Sequence, residues 1–532
     1  MKQKHLIGID LGTSYSSLSY LDSNFKARSV ANKEGEFKTP SAVFISKSGG
    51  GLIVGTNALA PGYNNPKQFI SHAKRYIGDP HVFWEVDGVF YSPVDVAAFV
   101  LGKLIRDAEA ELGPIEQAVI TVPAHFNDYQ RKMTKRAGER AGLKAVHLLN
   151  EPAAAALRFA LGSGGREMLY LRDACTVLIY DLGGGTFDLS LVRFDKTQLR
   201  VLATAGHLML GGLDWDQRLI ERFVHSFKVM HAVDLADPKH HKSLRRLSRE
   251  IENAKRRLSD PAISETEIFF QHAGLEAEYR VSRQEFEAET ADLVDQTRVL
   301  AEDLIKAAGV PWAKIDAIIP VGGSTRMPMI SRLIERFAQR GPRVCQLSPD
   351  FAVSSGAALY AGMLEESPGP TSRAPNQRAK TLAGFHTEVV SSRTLGILVC
   401  NEKGQRVVQP LIPRNTPLPV AARVTVTTNR PGQSTASLKI VEAEGTNGGH
   451  TPLCVCRIND LPLDLPVRSA IDVELTCDSQ GLLHLIAFHR ATGRLATITA
   501  QYAAAATRED SDEVVASATS RHAVGIRPGG ES

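Results

Sequence analysis

Asp10 and Asp181 each stand at the end of an apolar run and are followed by leucine and glycine. The two stretches read Leu6-Ile7-Gly8-Ile9-Asp10-Leu11-Gly12-Thr13-Ser14-Tyr15 and Val177-Leu178-Ile179-Tyr180-Asp181-Leu182-Gly183-Gly184-Gly185-Thr186-Phe187-Asp188. A carboxylate beside a glycine turn and hydroxyls is suited to holding phosphate together with a hard cation. Glycine lets the backbone take φ > 0 and come close to a ligand, successive N–H groups form a concave anion nest, and Thr13 and Ser14 add donors. Mg²⁺ fits such a place because it keeps most of its waters and needs only a carboxylate or two. One copy alone is equally a plain hairpin turn. Gly183 to Gly185 tip the balance, since three successive glycines are costly in a strand unless something presses on the backbone. Two copies, each opening a long segment of mixed helix and strand, predict two like lobes gripping a nucleotide. The chain has no G-x-x-x-x-G-K-[ST] run, which argues against a P-loop machine.

Three further places could serve the same ligand. Ile318-Ile319-Pro320-Val321-Gly322-Gly323-Ser324-Thr325-Arg326 puts a glycine pair between a strand and a helix start, a seat for phosphate or nucleoside or simply a tight connection. Arg326 could stack on a purine or stay solvated. Leu244 to Leu258 predicts a helix with Leu244, Leu247, Ile251, Ala254 and Leu258 as its apolar stripe. Glu252, Lys255, Arg256 and Ser259 share a neighbouring face, either a salt-bridged solvent face or a polar platform for adenosine. Glu151, in Leu149-Asn150-Glu151-Pro152, sits where a strand ends and an alanine-rich helix begins, where it could neutralise helix amides or order a cation-bound water. Lys74 has no intrinsic signature, and isolated lysines are mostly exposed.

These residues must be positioned by more than one core. At 532 residues the chain predicts three or four folding units, and its formal charge of +4 gives no reason to invoke nucleic acid or an acidic membrane surface. The first strand starts too early for a signal peptide and no apolar run is long enough to cross a bilayer, so a cytoplasmic location is expected. Six scattered cysteines without a C-x-x-C pair read as reduced structural thiols, and Cys454 and Cys456 alternate with Val455 as strand residues on one face would. Residues 1–365 mix strands with long amphipathic helices. Residues 366–386 are proline-rich and aperiodic, as a linker would be. Residues 387–502 carry short alternating runs separated by turn residues, an all-β module of sandwich type, and residues 503–532 lack a core pattern and read as a disordered tail.

Taken in order, Ile9-Asp10-Leu11-Gly12-Thr13, Ala73-Lys74-Arg75, Asn127-Asp128, Asn150-Glu151-Pro152, Tyr180 to Asp188, Leu210-Gly211-Gly212 and Val321 to Pro328 resemble the seventy-kilodalton heat-shock chaperones of the DnaK type. The resemblance covers nearly all of residues 1–365 and, more loosely, 387–502. It implies an α/β fold: a two-lobed actin-like ATPase domain built from ribonuclease H-like lobes, followed by a small all-β sandwich that binds peptide. Carried over by position, it makes Gly12, Thr13, Ser14, Tyr15, Thr186 and Gly183, Gly184 and Gly185 phosphate ligands. Lys74 would position the attacking water, while Asp10, Glu151, Asp181 and Asp188 would manage Mg²⁺, water and a monovalent cation such as K⁺. Gly211, Gly212, Glu252, Lys255, Arg256, Ser259, Gly322, Gly323, Ser324, Arg326 and Asp350 would bind ribose and adenine. Pro123 and Arg131 match residues that relay the nucleotide state outward; from the residues alone, Pro123 opens a helix and Arg131 is an exposed charge on it.

The chain departs from the family at the linker, where Leu382-Ala383-Gly384-Phe385-His386-Thr387-Glu388-Val389-Val390 replaces an aspartate-bounded leucine run. At the expected peptide groove, lined by Val426, Asn429 and Ala436, alanine stands at a position usually valine. The two missing carbons cost on the order of 1 to 1.5 kcal/mol of contact with a leucine side chain. No counterpart of the family's helical lid follows the last strand. The resulting expectation is an ATP-dependent chaperone with a slow ATPase that binds unfolded or extended client polypeptides, with a J-domain co-chaperone and a nucleotide exchange factor as further partners. Two competing readings are a nucleotide-gated scaffold acting on a dedicated partner and a small-molecule kinase, the latter disfavoured by the all-β module.

Overall fold

A computed structural model describes residues 7–46, 51–161, 174–195, 197–345, 350–364, 385–400, 405–428, 430–443, 450–459, 461–490, 493, 495–502, 515–516 and 523–525. Asn429 and nearly all of the expected linker lie outside these residues. The chain divides into two compact units, one of residues 1–77, 82–124 and 134–387, the other of residues 78–81, 125–133 and 388–532.

The first unit contains two sheets of like topology. In one, Ile7–Asp10 pairs parallel with Gln117–Val122, which pairs parallel with Ala145–Asn150; on its other side it forms an antiparallel hairpin with Tyr15–Leu21, followed by Ala27–Ser29. In the other, Cys175–Leu182 pairs parallel with Ala317–Val321 and forms the antiparallel hairpin with Phe187–Phe194, followed by Gln198–His207. The central strands are apolar along their whole length because both faces are covered. Val177, Leu178, Ile179 and Tyr180 are all fully buried. In both sheets the aspartate emerges at the same end of the central strand, next to the hairpin turn.

Small residues set how closely the layers approach. The helix Glu151–Leu161 is alanine-rich and meets the helix Ala352–Leu364, whose sequence AVSSGAALYAGML is also mostly small. A Cβ on Gly356 would lie 1.7 Å from the Ala154 carbonyl oxygen, and one on Gly8 would lie 2.1 Å from the Ala358 nitrogen. The buried Ser354 hydroxyl bonds to those of Ser17 at 3.0 Å and Ser19 at 2.9 Å, fixing this helix on the first hairpin. The expected helix over 244–258 is found as His241–Leu258, and Leu247, Ile251, Ala254 and Leu258 are fully buried with Trp215, Phe223 and Phe227 of the helix Gly212–His231.

The second unit is built on antiparallel strands. The ladder runs Arg406–Ile412, Thr394–Cys400, Ala436–Ala443, His450–Asn459, Leu495–Tyr502, Leu483–His489, Ala470–Cys477 and Val420–Thr427. Alternate residues such as Leu438, Ile440, Ile471, Val473 and Leu475 are buried. Cys454 and Cys456 lie side by side in this core with their sulfurs 3.7 Å apart, as free thiols. The stretch read as a disordered tail departs from that expectation in part, because Val515–Ala516 and Ala523–Gly525 pair with Val420–Thr427. Pairing through main-chain groups on a strand edge requires no apolar period, so the sequence carries no mark of it. Among the described residues no helix is long and apolar enough to cross a membrane.

In an exposed helix, replacing glycine by alanine stabilises by about 1 kcal/mol. At Gly356 the clash with Ala154 reverses the sign: Gly356→Ala should lower unfolding stability by about 1–3 kcal/mol in denaturant melts. A gain instead would show that the two helices can slide apart.

Candidate functional site

The two hairpin turns meet head to head. The amide of Gly183 donates to the Thr186 carbonyl at 3.0 Å, closing the second turn, and the Gly12 amide donates to the Ser16 hydroxyl at 3.1 Å in the first. Neither Gly12 nor Gly183, Gly184 or Gly185 has a positive φ, so the expected left-handed backbone is not the reason for glycine here. Space is the reason. A Cβ on Gly184 would stand 2.3 Å from the Ser14 hydroxyl oxygen, one on Gly185 2.6 Å from the Thr13 side chain, and one on Gly12 2.0 Å from the Tyr15 carbonyl.

The second turn is held from behind. Gly183 and Gly184 carbonyls accept from the Gly212 and Leu213 amides at 3.0 and 2.8 Å, and Ser324 donates its hydroxyl to the Gly183 carbonyl at 2.9 Å. Arg75 donates to the Gly185 carbonyl at 2.9 and 3.1 Å and also pairs with Asp214. Gly211 fits because a Cβ there would lie 2.6 Å from the Gly185 nitrogen. Gly322 is the one glycine of the set in the left-handed region, at φ 81°, and it packs against the Leu182 carbonyl and Asp181.

A cavity of about 770 Å³ opens in front of the turns. It is lined by Asp10, Gly12, Thr13, Ser14 and Tyr15 from the first hairpin and by Asp181, Gly183, Gly184 and Thr186 from the second. Lys74 and Glu151 lie on its floor, Glu252, Lys255, Arg256 and Ser259 form one wall, and Gly322, Gly323, Ser324, Arg326 and Asp350 another. Gly185, Gly211, Gly212 and Asp188 sit behind this lining and support it. Glu36, Phe37, Lys38 and Phe351 also line the cavity and were not legible beforehand. Lys38 donates to Asp350 at 2.9 Å, Arg326 takes the other Asp350 oxygen at 2.7 Å, and Phe37 meets Phe351 edge to face. Arg256 donates to Tyr15 at 3.0 Å and to Glu252 at 2.6 Å, so the face shared by these residues is salt-bridged and also lines the cavity.

The floor concentrates negative charge. Lys74 is buried and ion-paired with Glu151. Burial opposes its charge, but Glu151, Asp10 and Asp188 outweigh that and raise its pKa. Burial pushes the Glu151 carboxyl up to about 7, with Asp10 and Asp188 adding to the rise and Lys74 opposing it. Asp10 and Asp181 are likewise raised, first by burial, and Asp181 further by its carboxylate neighbours. Among the described residues no three His, Cys, Asp or Glu converge closely enough to hold an ion among themselves. An excess of carboxylates over one ammonium, spaced too widely for a closed cage, fits a hydrated Mg²⁺ that also takes phosphate oxygens.

The remaining candidates lie elsewhere. Asp188 accepts from the Ala124 amide at 2.9 Å, which ties it to the bend at Pro123. Pro123 does not open a helix, since the helix begins at Asp128. Arg131 is not an exposed charge; it is buried in the second unit and donates to the Phe126 carbonyl at 3.0 Å and the Gln480 carbonyl at 3.1 Å. Val426 and Ala436 are both fully buried in the β unit.

His72 precedes Lys74 in a left-handed conformation at φ 61°. Burial, and then the charge of Arg245, lowers its pKa to about 4; Arg75 and Lys255 add to this and Glu252 opposes it. The unfolded chain therefore binds more protons between pH 6.5 and 4, and the stability present above pH 6.5 is lost as pH falls through that window. His72→Asn keeps a residue that tolerates this backbone. Its melting temperature should fall less steeply than that of the wild type between pH 6.5 and 4, and parallel profiles would reject the assignment.

The family model described as Hsp70 protein matches residues 6–87 and 79–524. "Chaperone protein DnaK" of Thermotoga neapolitana is 36% identical over 503 residues, covering 93% of this chain and 80% of the relative. "Chaperone protein DnaK" of Thermosipho melanesiensis is 35% identical over 523 residues, covering 97% of this chain and 83% of the relative. With its paired turns, its shared cavity and a match along nearly its whole length, the chain belongs to the Hsp70 family.

Proposed function

We propose that the protein is an ATP-dependent molecular chaperone of the cytoplasm that hydrolyses ATP to ADP and phosphate and couples nucleotide state to binding of unfolded or extended polypeptides. In this reading residues 1–365 are a two-lobed actin-like ATPase domain of ribonuclease H-like lobes, residues 366–386 a linker, 387–502 a β-sandwich substrate-binding domain and 503–532 a tail. The observation that carries it is the cavity lined from both hairpins, with Lys74 and Glu151 on its floor. Gly12, Thr13, Ser14, Tyr15 and the amides of Gly183, Gly184 and Gly185 hold the phosphates, while Thr186 adds a hydroxyl. Lys74 Nζ, steadied by Glu151, orients the attacking water. Bound Mg²⁺ would neutralise phosphate charge, held through Asp10, Asp181 and Asp188 and their waters, and K⁺ could share the same carboxylates. Glu252, Lys255, Arg256 and Ser259 face the ribose, and Arg326, ordered by Asp350, faces adenine. Such a site works by positioning and charge stabilisation.

Extended client segments would add main-chain hydrogen bonds and a side-chain anchor to the β unit. Pro123, beside Asp188, and Arg131 are the proposed relay, and Val426, Asn429 and Ala436 the proposed peptide contacts. A J-domain co-chaperone and an exchange factor complete the cycle. A second reading, a nucleotide-gated scaffold with little turnover and one dedicated partner, is favoured by the full burial of Val426 and Ala436.

In single-turnover assays Lys74→Ala should slow hydrolysis by roughly 100-fold while ATP binding survives. Equal rates in the two proteins would remove Lys74 from the catalytic set. An extended apolar peptide should raise wild-type turnover by about 5-fold or more. No stimulation, together with tight binding of one native protein, would select the scaffold.

A further inference from the structure

The lysine on the wall of the cavity is itself held by a residue that does not reach the cavity. Lys255 Nζ donates to Asp216 Oδ2 at 2.7 Å and to the Gly212 carbonyl at 2.8 Å. An ammonium has three N–H donors, so two are committed and one remains. The lysine side chain is 13% exposed and lines the cavity; the Asp216 side chain is 7% exposed and lies behind it. Gly212 makes room for the arrangement, because a Cβ there would stand 3.1 Å from the ammonium and 2.5 Å from the Ser324 hydroxyl oxygen.

Asp216 pays for this position with an unused oxygen. Among the described residues its Oδ1 is buried without a hydrogen-bond partner. A carboxylate oxygen left unsatisfied in the interior is destabilising, and a purely structural role would be served better by a side chain without it. Asp216 holds a charge that orders another charge, and that second charge faces the ligand space.

We propose that Asp216 is a positioning residue for sugar recognition: with the Gly212 carbonyl it clamps Lys255 so that the remaining N–H points at the ribose hydroxyls of the bound nucleotide. This rests on the nucleotide reading of the cavity. Two acceptors on a flexible lysine remove most of its rotational freedom before the ligand arrives, so the hydroxyl contact costs less ordering. A site built to bond a hydroxyl rejects the analogue that lacks it, because its own polar group is left unpaired. The clamp therefore acts on discrimination between ribose and deoxyribose sugars, with no part in the chemistry at the phosphates.

Calorimetry with ATP and with 2′,3′-dideoxy-ATP, both with magnesium, tests this on the full chain. The wild type should prefer ATP by about tenfold or more. Asp216→Asn should weaken ATP by a comparable factor and leave the dideoxy nucleotide within about twofold, so that the preference collapses. Lys255→Met should give the same collapse, and the two changes together should add nothing further. If Asp216→Asn does not fold, Asp216→Ser, which leaves room for a water, is judged by the same ratio. Equal weakening of both nucleotides, or an unchanged preference, would overturn the proposal. A wild type that binds both nucleotides equally overturns it alone, whereas one that binds neither rejects the nucleotide reading as well.

Discussion

The site exists because two backbone turns approach so closely that no side chain can stand between them. Ser14 meets Gly184 and Thr13 meets Gly185 at distances that any Cβ would violate. Everything else follows from keeping that approach. Arg75 and the amides of Gly212 and Leu213 bind the carbonyls of the second turn from behind. The alanine-rich helix Glu151–Leu161 and its partner Ala352–Leu364 let the layer under the first turn pack with almost no gap. Only with both turns in place do Asp10, Asp181, Lys74 and Glu151 share one floor.

Electrostatics then decides what such a floor can tolerate. Carboxylates brought together under burial resist ionisation, and the one lysine among them cannot offset them all. Away from the floor each charge has a partner: Asp350 is shared by Lys38 and Arg326, Glu252 pairs with Arg256, and Asp216 serves Lys255. The cavity is thus rich in carboxylates where phosphate and metal would meet and lined at its walls by paired charges, a division that suits a ligand with a metal-bound anionic end, a polar sugar and a flat base.

Much of this was legible in the residues because it is local. The duplicated Asp-Leu-Gly turns, the strand that ends at Glu151 and the amphipathic helix behind Glu252, Lys255, Arg256 and Ser259 all announce themselves by spacing. What escaped was set by tertiary neighbours. Phe37 and Lys38 follow an ordinary glycine turn and gain meaning only from Phe351 and Asp350, more than three hundred positions later. For the triple glycine the sequence suggests both conformational freedom and something pressing on the backbone; the fold uses the second, and what presses is the facing hairpin, through Thr13 and Ser14. Arg131 looks like an exposed helix charge until two backbone carbonyls are brought to its guanidinium.

One small feature of the β unit has a wider effect. Strand Val420–Thr427 would end the ladder with a row of open amides and carbonyls, but Val515–Ala516 and Ala523–Gly525 fasten to its two ends, so that among the described residues 420–422 and 426–427 are paired on that side and the open run between them is short. A shorter run of open main-chain groups is a poorer template for a foreign strand, so on this edge the chain limits pairing with copies of itself by main-chain bonds alone.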